Sequence, residues 1–202
     1  MKLKGVFLAF LFLLHISVPA QVKPAKSAER QAFMQALTRT NISFTYPPDF
    51  NEIKVPNDEN LSFDYGLKLR DKEFEVWYIV NNLKGDWASY EDSKNDPERV
   101  QEIPDSLYRK ICRAHAIGLS GGDYTTVDMP DNDLRKQFNA DVGKAYALNL
   151  YDSPITKHYK YALLLMVQKN KKANVLMLFL SNDNGPEFYN NVNKAYNSIR
   201  FR

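Results

Sequence analysis

Hydrophobic residues recur along this chain in three rhythms, and each rhythm selects a different element. Leu61, Phe63, Tyr65, Leu67 and Leu69 alternate with Ser62, Asp64, Gly66 and Lys68, the period-two signature of a strand with one face in a core. Arg70-Asp71-Lys72 turns the chain, and Phe74, Val76, Tyr78 and Val80 repeat the alternation, with Trp77 and Ile79 on the opposite side. The two runs predict an antiparallel hairpin. Ile42 to Tyr46 alternates in the same way and stops at Pro47-Pro48, because proline cannot donate to a ladder. A short extended segment covers Ile53 to Val55, ahead of Pro56, and others cover Tyr124 to Met129 and Ala145 to Tyr151.

The second rhythm is continuous. Tyr159 to Val167 and Val175 to Leu180 are apolar at nearly every position and are bridged by Gln168-Lys169-Asn170-Lys171-Lys172. Apolar character on both faces predicts central strands covered from both sides.

The third rhythm is helical. Ser27 is a fitting N-cap for a helix to about Thr38, with Glu29 in the first turn and Phe33 and Leu37 on one stripe. Pro104 opens a helix to about Ile117 with the stripe Leu107, Tyr108, Ile111, Cys112 and His115, and Gly118 and Gly121-Gly122 serve as stop signals. Asp131 or Asp133 can cap a short helix containing Leu134 and Phe138. Pro186 starts a last helix, with Phe188, Val192, Ala195, Tyr196 and Ile199 at helical spacing. Lys84 to Gln101 shows no strong period and reads as a long polar loop carrying Trp87 and Tyr90. Strands buried on two faces together with separated amphipathic helices predict an α/β fold. Its architecture is an α/β/α sandwich, a mainly antiparallel sheet covered by helices on both faces.

The beginning of the sequence changes how the composition is read. Lys2 and Lys4 precede an apolar run from Gly5 to Leu14, and Val18-Pro19-Ala20 offers a cleavage site, so residues 1–20 read as a secretory signal peptide cut after Ala20. The run is too short to span a bilayer, and no cysteine stands near the cut to be lipidated, so the protein is not expected to be a lipoprotein. The expected organisation is a signal peptide at 1–20, a leader and helix at 21–40, and a domain at 41–202. The expected location is the periplasm or the cell exterior, with no membrane insertion after cleavage. Removing 20 of the 202 residues leaves 182, and with Lys2 and Lys4 gone the formal charge falls from +3 to +1. That near balance argues against nucleic acid as a partner. The single cysteine excludes an intrachain disulfide framework and any cysteine-rich zinc module.

Several segments carry a family resemblance: Phe44-Thr45-Tyr46-Pro47-Pro48-Asp49-Phe50, Phe138-Asn139-Ala140-Asp141, the apolar pair at 159–180 with its Lys/Asn turn, and Asn197-Ser198-Ile199-Arg200-Phe201. Their order resembles the PsbP-like superfamily, the PsbP and Ran-binding Mog protein type, and is similar to that of uncharacterised secreted proteins of Bacteroidota. The resemblance covers roughly residues 41–202. It implies strands sandwiched by helices and a bias toward non-catalytic binding. It carries over no site residue, and a shared fold does not transfer function.

Candidate chemistry is sparse. Cys112 and His115 stand at i and i+3 on one helix and could share a face as metal ligands or as a nucleophile with its base. Their continuity with Leu107, Tyr108 and Ile111 favours core packing, and His158 is the other histidine outside the signal segment. Ser-x-x-Lys is absent, and Gly118-Leu119-Ser120-Gly121-Gly122 spells Gly-x-Ser-x-Gly at the end of a helix, where a nucleophile elbow needs a strand before it and a helix after it. Ser120-Gly121-Gly122 follows a helix where a phosphate loop would open one, and Asn182-Asp183-Asn184-Gly185 reads as a strand-to-helix turn more readily than as part of a calcium loop. Asp58-Glu59 and Glu91-Asp92 read as solvated acidic pairs. Twelve Phe, twelve Tyr and two Trp are the informative excess. Most fit core periodicity. Trp87 and Tyr90 do not, and they are either a contact patch or a plug folded onto the sheet.

No catalytic, metal or cofactor residues are assigned, and no cofactor is expected. The expected function is an exported, non-enzymatic binding module for a protein partner or envelope component, with Trp87 and Tyr90 as possible contacts. The alternatives are a carrier of a small apolar or aromatic ligand and an enzyme using Cys112 or His158.

Overall fold

The structure, a computed structural model, describes residues 27–57, 61–99 and 102–202. The expected signal segment and leader, the Asp58-Glu59 pair and Gln101 lie outside these residues. In chain order the elements are α1 (Ala28–Arg39), β1 (Ile42–Phe44), β2 (Phe50–Ile53), β3 (Tyr65–Leu69), β4 (Phe74–Asn82) and α2 (Lys84–Ser93). They continue with a 3-10 turn (Pro104–Ser106), α3 (Tyr108–Ser120), β5 (Tyr124–Val127), the single turn α4 (Asp131–Asp133) and a π-turn (Leu134–Phe138). The remainder is β6 (Val142–Asn149), a second 3-10 turn (Pro154–Thr156), β7 (Tyr161–Lys169), β8 (Ala173–Ser181), α5 (Pro186–Tyr196) and β9 (Ile199–Phe201).

Seven strands form one sheet in the order β2-β3-β4-β8-β7-β6-β5, and every pairing in it is antiparallel. The chain leaves β4 in mid-sheet, crosses to the far edge at β5 and returns strand by strand until β8 pairs with β4. All nine residues of β8 are buried, as are the seven central residues of β7. One face carries Trp77, Leu164, Leu178 and Leu180 and is covered by Tyr108, Cys112, Ala116 and Leu119 of α3. The other carries Val76, Leu165, Met177 and Phe179 and is covered by Phe33 and Leu37 of α1, Phe188 and Val192 of α5, and Phe138 of the π-turn. The sandwich expected from the two-faced strands is therefore present.

Helix α1 begins where Ser27 Oγ accepts the Arg30 N–H at 3.0 Å, and its Phe33 ring stacks on Tyr65 at 4.6 Å between centroids. The helix after Pro104 differs from its expected bounds. Pro104 opens a 3-10 turn, α3 starts at Tyr108, and it runs through Gly118 to end at Gly121, whose φ of 64° is the left-handed conformation a helix stop needs.

The regular face expected for 61–69 is broken. Tyr65, Leu67 and Leu69 pack on the α1 side, whereas Phe63 meets Trp77 on the α3 side at 5.0 Å. Asp64 makes the crossover: its N–H bonds Tyr78 O at 2.8 Å and its carboxylate accepts the Val80 N–H at 2.7 Å, replacing a strand neighbour. One buried charge also sits in the sheet. Glu75 Oε2 accepts from Trp77 Nε1 and from Lys157 Nζ, each at 2.8 Å, which locks the 153–158 turn onto β4. A carboxylate at 3% exposure is tolerable because it is paired and hydrogen-bonded.

The sequence pattern does not reveal β9. It pairs with β1 as a separate two-stranded ribbon, Ile42 opposite Phe201 and Phe44 opposite Ile199. Tyr78 and Ser198 hydroxyls bond at 3.0 Å and tie this ribbon to the main sheet. Replacing buried Phe201 with Ala is expected to lower unfolding free energy by about 3–5 kcal/mol in urea titration, as for other core Phe truncations. A loss below about 1 kcal/mol would mean that the ribbon is dispensable.

Candidate functional site

Helix α3 packs on β6 and β7, and its buried stripe leaves its other residues at the rim of the sheet. Tyr108, Cys112, Ala116 and Leu119 face inward. Arg109, Lys110 and Arg113 are exposed, and Arg109 and Arg113 share one side because they are four residues apart. On β6, alternation puts Val142, Lys144, Tyr146 and Leu148 on the α3 side. On β5, Tyr124 and Thr126 pair with Leu148 and Tyr146 and share that side.

These elements enclose a trough of about 500 Å³ lined by Tyr108, Arg109, Arg113, Asp128, Lys144 and Tyr146, among others. Each arginine is held by a phenol. Arg109 Nε donates to Tyr108 Oη at 3.0 Å, and Arg113 Nε donates to Tyr124 Oη at 3.1 Å. Tyr124 and Tyr146 meet edge to face at 5.0 Å, and the Lys144 ammonium stands 5.4 Å from the Tyr146 ring centre. Burial, with Cys112 and Tyr124 beside it, raises the Tyr146 phenol, so it stays neutral.

Lys110 pairs with Glu102. Among the described residues Arg109, Arg113 and Lys144 pair with no carboxylate, and Asp128 is the one acid on the trough wall. Anchoring through Nε leaves the terminal guanidinium N–H groups for another acceptor. Such a fork matches a carboxylate or phosphate.

The residues singled out from sequence lie elsewhere. Lys84 to Ser93 is helix α2, so the expected long loop is half helical. Its buried residue is Ser93 and it has no side-chain N-cap, so neither a stripe nor a cap betrays it. Trp87 and Tyr90 do come together, edge to face at 5.5 Å. Trp87 is half-buried: its Nε1–H donates to Asp105 Oδ1 at 3.0 Å, and Lys171 Nζ sits 4.7 Å from its ring centre. Asp105 Oδ1 also accepts the Lys171 N–H at 2.9 Å, so Trp87 anchors α2 to the β7–β8 turn. Glu91 of this helix pairs with Lys94.

Cys112 and His115 are not joined by a hydrogen bond. The thiol is fully buried and donates to Lys144 O at 3.8 Å, directly beneath the basic trough. His115 instead lines a second hollow of about 440 Å³ with Leu61, Leu119, Tyr151 and Ile155, and burial lowers its pKa. His158 Nδ1 lies 2.5 Å from Asp152 Oδ1 on the surface. Among the described residues no three His, Cys, Asp or Glu side chains gather as a metal site. Asp183 Oδ1 accepts the Gly185 N–H at 3.0 Å, which makes the 182–185 segment the expected strand-to-helix turn.

No family model and no curated protein sequence matches the chain. A solved structure with some likeness is the solution structure of cyanobacterial PsbP (CyanoP) from Synechocystis sp. PCC 6803. Its TM-score is 0.40 at 14% identity, over 82% of this chain and 89% of that one.

Burial pushes the Cys112 thiol up to about 12, against a weak opposite pull from Lys144. The folded protein is therefore expected to resist iodoacetamide at pH 8 and to alkylate once in urea, read by intact mass; prompt alkylation when folded would contradict this packing. The sign for stability follows, since an unfolded thiol ionises near about 8.5 and the folded one does not. Stability is full below that pH and falls by up to about 1.4 kcal/mol per pH unit above it, until the folded pKa is reached. Cys112→Ala is expected to remove this slope between about pH 8.5 and 10, before the tyrosines and lysines titrate.

Proposed function

We propose that the chain is an exported, non-catalytic binding module that holds carboxylate or phosphate groups of a partner in the trough between α3 and the β5–β6 edge. The observation that carries this reading is the set of three cations, Arg109, Arg113 and Lys144, that among the described residues pair with no carboxylate and stand on a floor of tyrosines. Three like charges held close together repel, and an anion between them relieves the repulsion. Two guanidiniums prefixed by phenols also lose less rotamer entropy on binding than free side chains would. In this reading Trp87 and Tyr90 secure α2, and contact falls to the trough. The non-catalytic part of the proposal is supported by the separation of Cys112, His115 and His158 into unconnected environments. The exported part is supported by the sequence of residues 1–20. Among the described residues no helix is long and apolar enough to cross a membrane.

Inorganic tripolyphosphate is a direct probe. Calorimetry at low salt is expected to show binding that weakens as salt rises and drops about tenfold or more in the Arg109→Ala/Arg113→Ala double variant, since each charge-assisted bond is worth about 1.5–3 kcal/mol. Equal affinity in both proteins would remove the trough from consideration. Protein secreted by its own host is expected to begin at Gln21 on N-terminal sequencing, and a form retaining Met1 inside the cell would overturn the export reading.

The second hollow favours a second reading, a small apolar or aromatic ligand. It is bordered by Leu119, Tyr151 and Ile155, and exposed Ile117 stands on the adjoining helix face. A Cβ at Gly118 meets no atom within 4 Å, so a side chain can start there, and Gly118→Leu adds bulk at the hollow. N-phenyl-1-naphthylamine fluorescence should rise with the natural protein and fall back in this variant; no rise with either protein would discard the carrier reading.

A further inference from the structure

Strand β5 ends the sheet, and its outer edge is open. The Asn149 N–H bonds Asp123 O at 3.0 Å, which fixes the alternation: Thr125 and Val127 bond to Ala147 and Ala145, and the backbone groups of Tyr124, Thr126 and Asp128 point away from β6. Among the described residues no bond is made to the Thr126 N–H or C=O, the Tyr124 C=O or the Asp128 N–H. Thr125 and Thr126 are both exposed. Sheet edges in proteins are ordinarily blunted by shortness, lysine, proline or a bulge; Tyr124-Thr125-Thr126-Val127 is short but carries no lysine, proline or bulge.

The same edge borders the basic trough. Tyr124 and Thr126 point their side chains toward α3, and Arg113 is bonded to Tyr124 Oη. A strand added beside β5 places every second side chain on that face, where Arg113 and Arg109 stand without carboxylates. We propose that the partner is a protein that adds an extended acidic segment to β5, with its backbone paired to Thr126 and alternate carboxylates seated on Arg113 and Arg109. This rests on the trough being the contact surface and adds what occupies it. Backbone pairing supplies the grip, and the charge pattern sets register and choice of partner. The acidic character is fixed by the unpaired cations on one side of the edge, and the extended conformation by the open N–H and C=O groups.

Three probes separate this from simple anion binding. The first is an acetylated, amidated heptapeptide alternating glutamate and threonine. The second is the same peptide N-methylated at alternate residues, prepared in both registers so that one register cannot donate to β5. The third is inorganic tripolyphosphate. The unmodified peptide is expected to bind about tenfold or more tightly than the disabled methylated form. Thr126→Pro removes an outward N–H and no ladder bond, so the sheet should survive, as judged by circular dichroism and Tm. That variant is expected to lose the peptide and keep tripolyphosphate. Should Thr126→Pro lower Tm, the N-methylated peptides against the natural protein decide the matter alone. Equal binding of methylated and unmodified peptides would overturn strand addition while tripolyphosphate binding still upheld the anion site. Absence of both peptide and tripolyphosphate binding to the natural protein, or binding that Arg109→Ala/Arg113→Ala leaves unchanged, would overturn both.

Discussion

The β7–β8 hairpin is apolar on both faces, and nearly every other feature of the fold answers that fact. A strand such as β8, with nine successive buried positions, cannot lie at an edge or face water on either side. It must be flanked by strands and covered by helices above and below. The pairing of β8 with β4 satisfies the first demand, and α3 on one face with α1 and α5 on the other satisfies the second. The chain therefore has to carry α3 across the sheet between β4 and β5. The route of the chain follows from burying these two strands.

That covering is uneven, and the unevenness creates the trough. Helix α3 is amphipathic, with its apolar side spent on Leu164, Leu178 and Tyr146. Its basic residues are left over the last two strands, where the sheet outruns the helix. Cys112 shows how tightly the two regions join: its buried thiol donates to the carbonyl of Lys144, whose ammonium stands in the trough. The buried thiol and the half-buried cation are thus one residue pair deep. A substitution that shifts α3 on the sheet moves Arg109 and Arg113 relative to Lys144.

Much of the fold was legible because it rests on periodicity. The two-faced strands, the α1 cap at Ser27, the helix after Pro186 and the left-handed stop at Gly121 each have a local physical cause in the sequence. The failures have causes too. Helix α2 buries too little to leave a stripe. The face switch at Asp64 depends on a side chain mimicking a strand partner, which no alternation pattern encodes. Strand β9 is three residues long and finds its partner some 157 positions away, so it leaves no local signal. The trough was the subtler omission. Arg109, Lys110 and Arg113 are plainly spaced as one helical side, but Tyr124 and Lys144 join them through strand register alone. Trp87 stood out from sequence because it fits no core period, and in the structure its N–H is given to Asp105.

The β1–β9 ribbon couples two distant parts of the chain. Phe33, Phe44 and Tyr78 are brought together under a strand that contains Phe201, and Tyr78 bonds Ser198. The layer around α1 thus depends on β9. Pairing between segments this far apart in sequence carries a loop-closure cost, which the buried contacts of Ile42, Ile199 and Phe201 offset. Fraying of β9 would therefore loosen Tyr78 and the layer around α1 together while the β7–β8 hairpin stays paired.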